Sequence, residues 1–161
     1  MVWAGFRRAV ESGGAPGLFW SEVTPVDDDR GDGDDRRVVH FEVPFDDGDR
    51  ARNFYRQAFG WNVTEMPELE YTGVSTGPVA ESGMPAEPGY IGGGMFQRSD
   101  QAPRGPVITV DVADIDAALA KIEALGGATV AAKQPVGTMG FAAYFRDPEG
   151  NVMGLWETAQ G

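Results

Sequence analysis

The chain repeats itself. A strand-like run, a capped amphipathic helix and three more strand-like runs follow one another from Val38, and the same order returns from Val107, about 65–70 residues later. In the first unit Val39, Phe41 and Val43 alternate with His40 and Glu42, the period-two pattern of a half-buried strand. Asp46, Asp47 and Asp49 offer N-caps to a helix whose apolar stripe is Ala51, Phe54, Tyr55, Ala58 and Phe59, and Gly60 supplies its stop. β-like runs over 61–66, 71–76 and 90–97 complete the unit. In the second unit residues 107–112 alternate, Asp114 caps a helix carrying Ala118, Leu119, Ile122 and Leu125, and Gly126-Gly127 end it. Runs over 128–132, 141–146 and 152–157 follow, the last two joined by Asp147-Pro148-Glu149-Gly150, which suits a type I turn. One helix can cover only one face of its sheet, so the opposite faces must meet each other, a partner chain or a ligand. The repeat therefore predicts an α+β fold of two tandem βαβββ modules, module one over about 38–98 and module two over about 105–158.

Residues 1–37 stand outside this pattern. Trp3, Phe6 and Val10 fall at helical spacing, Leu18-Phe19-Trp20 suits a short strand, and the Asp-rich run 27–35 reads as a solvated linker. A calcium loop cannot be fitted to that run without Arg30 or Gly31 intruding among the oxygen ligands. The length of 161 residues is enough for a core that needs no staples. The absence of cysteine excludes a disulfide scaffold, a thiolate metal site and a cysteine nucleophile. A formal charge of −12 argues against nucleic acid and against anionic membrane surfaces as partners. No apolar run reaches the ~20 residues of a membrane span, and no apolar stretch follows Arg7-Arg8 as a secretory signal would require. A cytoplasmic location is the resulting expectation.

Val39-His40-Phe41-Glu42-Val43, Ala51-Arg52-Asn53-Phe54-Tyr55 and Phe59-Gly60-Trp61 resemble the first module of the vicinal oxygen chelate superfamily, which includes glyoxalase I, bleomycin-resistance proteins and extradiol dioxygenases. Residues 110–127 and the ending Phe145-Arg146-Asp147-Pro148-Glu149-Gly150-Asn151-Val152 resemble its second module. The resemblance spans about residues 38–158 and implies two βαβββ modules whose curved sheets form an incomplete barrel around a small-molecule cavity. In metal-dependent members His or Glu from the first and last strands of each module hold a divalent ion. Carried over, His40 matches the first position, but the second falls near Val107, another on Gly154, and the last within Gly92-Gly93-Gly94. His40 is thus the only matching ligand, so the resemblance implies a divergent member with no cofactor. A divalent ion would require Glu42 and Asp111 to rebuild a site with His40.

His40, the only histidine, is either a hydrogen-bonded strand residue or a proton acceptor and ligand anchor, and it is the one catalytic candidate. Glu42 lies about 7 Å along the same strand face, close enough to share a ligand. Asp111, its repeat-mate, and Glu42 are either rim carboxylates or a negative cavity lining suited to neutral or cationic ligands. Thr109 pairs with His40 in the repeat. Trp61, Tyr90, Tyr144 and Trp156 are core or pocket aromatics, with Trp156 on the face of Val152 and Gly154, and Trp61 packed behind its helix. No nucleophile-elbow context supports a Ser75, His40 and Asp111 triad.

The resemblance, with these residues, implies a small-molecule binding protein, independent of metal, whose cavity is lined by His40, Glu42, Thr109, Asp111 and Trp156. A superfamily enzyme (lyase, isomerase or dioxygenase) using a rebuilt metal site or His40 as general base is the alternative. A dimeric protein-interaction module working through residues 1–37 is another. A homodimer is expected from the resemblance.

Overall fold

The structure, a computed structural model, describes residues 36–159 apart from 68, 69, 82, 84 and 101. The readings placed on Trp3, Phe6, Val10, Leu18-Phe19-Trp20 and the Asp-rich run 27–35 lie outside the described residues. The first module runs β1 (Val38–Phe45), α1 (Gly48–Phe59), β2 (Asn62–Met66), β3 (Tyr71–Ser75) and β4 (Gly92–Gln97). The second runs β5 (Val107–Asp111), α2 (Ile115–Ala124), β6 (Ala128–Val136), β7 (Gly140–Arg146) and β8 (Val152–Thr158). All eight strands join one sheet in the order β2-β3-β4-β1-β5-β8-β7-β6. In each module the first strand lies parallel to the last, β1 with β4 and β5 with β8. The two modules meet edge to edge through antiparallel β1 and β5. The sheet is open, its ends formed by β2 and β6.

Local chemistry sets the helix limits. Of the three aspartates offered for α1, Asp47 is the cap, its side chain accepting from the Arg50 N–H, and Gly60 closes the helix at φ 68°, where a side chain would be strained. Asp114 caps α2 by accepting from the Ala117 N–H. At the β7–β8 turn the Gly150 N–H donates to the Asp147 carbonyl, and the Asp147 carboxylate accepts from the backbone of Glu149 and Asn151 and from the Asn151 amide. Proline at the second turn position removes a donor that the turn does not use.

Each helix packs on one side of the sheet over its own core. Under α1 lie Val63, Val74 and Met95 with Phe41, Val43, Ala51, Tyr55 and Trp61 around them. Under α2 lie Ile115, Leu119, Ala143 and Leu155, joined by Val110, Phe141 and Phe145. Trp61 packs behind α1, stacked on Tyr55 at 5.2 Å with 5° between the rings. Two features depart from the sequence reading. Phe54 and Phe59, placed on the apolar stripe of α1, are 57% and 60% exposed, because only Ala51 and Tyr55 of that stripe reach the sheet. Strand β6 runs to Val136, past the expected limit at 132, because pairing with β7 continues through two register shifts.

Candidate functional site

Strand β1 decides which side chains face away from the helices. Phe41, Val43 and Phe45 enter the α1 core, so alternation turns His40 and Glu42 to the opposite face, the concave one in the fold that the resemblance implies. The pairing register then assembles that face from both modules. Glu42 stands between Gly94 of β4 and Val107 of β5, and His40 between Gly92 and Thr109. Thr109 is paired in turn with Gly154 of β8, and Gly154 with Tyr144 of β7.

Four of these side chains form one hydrogen-bonded cluster. The Tyr144 hydroxyl donates to Glu42 Oε2 at 2.9 Å, a bond from the second module to the first. The Tyr71 hydroxyl is 3.5 Å from Glu42 Oε1 and 2.9 Å from His40 Nε2. A phenol has one proton, which limits the cluster to two arrangements. Either Tyr71 donates to Glu42 while His40 Nε2–H donates to Tyr71, or Tyr71 donates to an unprotonated Nε2 and its contact with Glu42 is non-bonded. The shorter distance lies on the histidine side.

Burial governs the charges. It lowers the pKa of His40, which favours the neutral imidazole. It raises that of Glu42, opposed by the hydrogen bonds from Tyr144 and Tyr71. Both phenols are pushed above their ordinary range, by burial first and by the Glu42 carboxylate second, so they serve as neutral donors. The ion pairs among the described residues do not involve Glu42.

The two shifts act on stability with opposite sign. With its pKa depressed, folded His40 binds fewer protons than unfolded His40 below about pH 6.5, so its contribution to stability falls as the solution is acidified. With its pKa raised, folded Glu42 binds more protons than unfolded Glu42 above 4.5, so its contribution falls as pH rises from that value through its folded pKa. Glu42→Gln removes the second effect alone. Urea midpoints between pH 4.5 and 8 are therefore expected to rise more steeply with pH in Glu42→Gln than in the parent, and parallel profiles would contradict the raised pKa.

Glycines and their neighbours show what has become of the metal positions implied by the resemblance. Tyr71 stands opposite Phe96, and its ring reaches over Gly94, where its hydroxyl fills the place of a Cβ. A Cβ on Gly154 would fall on the Thr109 hydroxyl. Val107 is fully buried and offers no donor. Asp111 sits four residues along β5 from the neighbour of Glu42, about 13 Å away at strand rise, where it pairs with Trp156. Asp111 therefore does not join His40 and Glu42. Among the described residues no group of three or more His, Cys, Asp or Glu side chains converges as a metal-binding set. A divalent ion needs several converging donors, and these residues do not fit one.

Of the five residues expected to line the cavity, His40 and Glu42 are thus united, and Thr109 adjoins them as a buried hydroxyl. Trp156 shares the face, but its indole N–H donates to Thr158 and its ring lies against Gly140, toward the far end of β8. The sequence pattern does not single out Tyr71, and it offers Tyr144 only as a core or pocket aromatic. The available signal for Tyr71 is Gly94, since a strand gives up its side chain where a neighbour's ring must pass. Gly92 is different, since nothing lies within 4 Å of a Cβ there, which leaves open space beside His40. Two clefts are present besides this space, the first of them lined in part by Tyr71. One of about 430 Å³ at the start of α1 holds Arg52, already engaged by Asp49 and Glu65, and one of about 440 Å³ lies around Asp46, Arg98 and Arg104.

Fold and site together define a two-module βαβββ protein with its polar cluster at the junction of the modules. The sequence matches the family model described as bleomycin resistance protein-like N-terminal over residues 37–77. In fold the chain is similar to a Streptomyces coelicolor methylmalonyl-CoA epimerase variant in complex with 2-nitronate-propionyl-CoA, with TM-score 0.54 and 22% identity over 78% of this chain and 99% of the other. It is also similar to methylmalonyl-CoA epimerase from Mycobacterium tuberculosis, at TM-score 0.51 and 15% identity over 76% and 88% of the two chains. A hypothetical protein from Bacillus halodurans gives 0.54 and 12%, over 79% and 97%. No curated protein sequence matches the chain. The matched first module and the shared fold support the resemblance to the vicinal oxygen chelate superfamily. No helix among the described residues is long and apolar enough to cross a membrane.

Proposed function

We propose that the protein binds a small organic molecule on its concave face, beside His40 and Glu42, without a divalent metal ion. The observation that carries this reading is the Glu42 carboxylate, which accepts from Tyr144 of the second module and has Tyr71 of the first 3.5 Å away, where the metal positions implied by the resemblance fall on glycine and valine. Such a carboxylate is a fixed hydrogen-bond acceptor, and the open space next to Gly92 gives a ligand room beside it. Glu42, His40 and Thr109 contact the ligand in this reading, with Trp156 and Asp111 at its outer end. The proposal includes a cytoplasmic protein and a homodimer, for which the exposed Phe54 and Phe59 of α1 offer an apolar surface.

Fragment screening by NMR on chelator-treated protein tests the site. Ligands are expected to shift the His40 ring signals, and His40→Ala is expected to weaken them several-fold. Stoichiometric zinc, manganese or iron on protein purified without chelator, with His40 signals displaced on its removal, would refute metal independence.

A further inference from the structure

The Glu42 carboxylate is half-buried, and none of the ion pairs among the described residues reaches it. The Tyr144 phenol donates to it, the Tyr71 phenol stands 3.5 Å away, and burial favours the neutral form of the His40 ring that Tyr71 also meets. A carboxylate has about four acceptor positions, and the phenols occupy two at most. Half-buried charge without a counter-charge is costly, and a bound cation recovers that cost where a neutral ligand cannot. Beside the carboxylate the wall is apolar: Val107 stands opposite Glu42, and the Met66 methyl lies 3.1 Å from a Cβ position on Gly73. An anion would meet both Glu42 and a chain of net charge −12.

We infer that the ligand of the concave face is an organic cation, an amidinium, guanidinium or primary ammonium on a small apolar body, whose N–H groups donate to Glu42 while the body occupies the space beside Gly92. The inference rests on the small-molecule reading above and adds its chemical class.

Three probes of nearly equal shape separate charge from fit: benzamidine, benzamide and benzoate. Each is titrated into the full chain while the His40, Tyr71 and Tyr144 ring signals are followed by NMR. Benzamidine is expected to bind about tenfold or more tightly than benzamide, the scale of one charged hydrogen bond, and benzoate more weakly than either. Glu42→Gln should abolish the preference for benzamidine. Tyr144→Phe keeps the charge and releases a lone pair, so the preference should survive it. Benzamide equal to benzamidine, benzoate preferred, or a preference unchanged in Glu42→Gln would each overturn the cation while leaving a small-molecule site in place. Failure of all three probes to move the ring signals would overturn both readings.

Discussion

Gly94→Ala is expected to cost roughly 2–4 kcal/mol of stability, the sum of overpacking and of lost hydrogen bonds within the cluster. Gly94 is buried between Glu42 of β1 and Gly73 of β3, and its absent side chain is what admits the Tyr71 hydroxyl. A methyl group there displaces the phenol and with it the contacts to His40 Nε2 and Glu42 Oε1. Thermal melts should fall by about 10 °C for a domain of this size. A double-mutant cycle makes the cause specific. In a Tyr71→Ala background the methyl has room, so the added cost of Gly94→Ala should drop below about 1 kcal/mol. A full cost persisting without Tyr71 would show that the glycine serves the backbone alone.

Ile115→Ala should destabilise the protein by about 3–4 kcal/mol, within the usual range for truncating a fully buried aliphatic side chain. Ile115 has no exposed surface and anchors the second core with Leu119, Ala143 and Leu155. It is also the first residue of α2, where its N–H donates to Glu157 Oε2 of β8. Lys133 of β6 bonds both oxygens of that carboxylate, so β6, β8 and α2 meet at one point. The truncation therefore leaves a cavity where three elements converge, and little collapse can fill it. Leu125→Ala is the control: that side chain is 71% exposed, and its loss should change stability by less than about 0.5 kcal/mol. Denaturant midpoints for the two variants check both figures. Similar losses at 115 and 125 would contradict the assignment of the core.

The repeat, both helices and the order of the strands were legible because each depends on residues close in sequence. Asp47 and Asp114 cap helices whose first turns follow at once, and Gly60 stops α1 where it stands. The alternation about Phe41 by itself sets His40 and Glu42 on one face. The glycines and the valine at the ligand positions implied by the resemblance are visible in the sequence too, and none of them has a donor to offer.

What joined His40 to Glu42 was not legible. They are about 7 Å apart along β1, and the group between them, Tyr71, comes from β3. Tyr144 reaches Glu42 across a sequence separation of 102 residues, which only the β1–β5 edge contact between modules makes short. The same register carried Asp111 away from the cluster, although the repeat had set it beside Glu42. By itself, then, the sequence determined two βαβββ modules, their helix caps and a concave face bearing one histidine and one glutamate. The tertiary structure decided which residues meet on that face, because the antiparallel register of β1 with β5 and the side-chain gap at Gly94 depend on contacts between strands far apart in the chain.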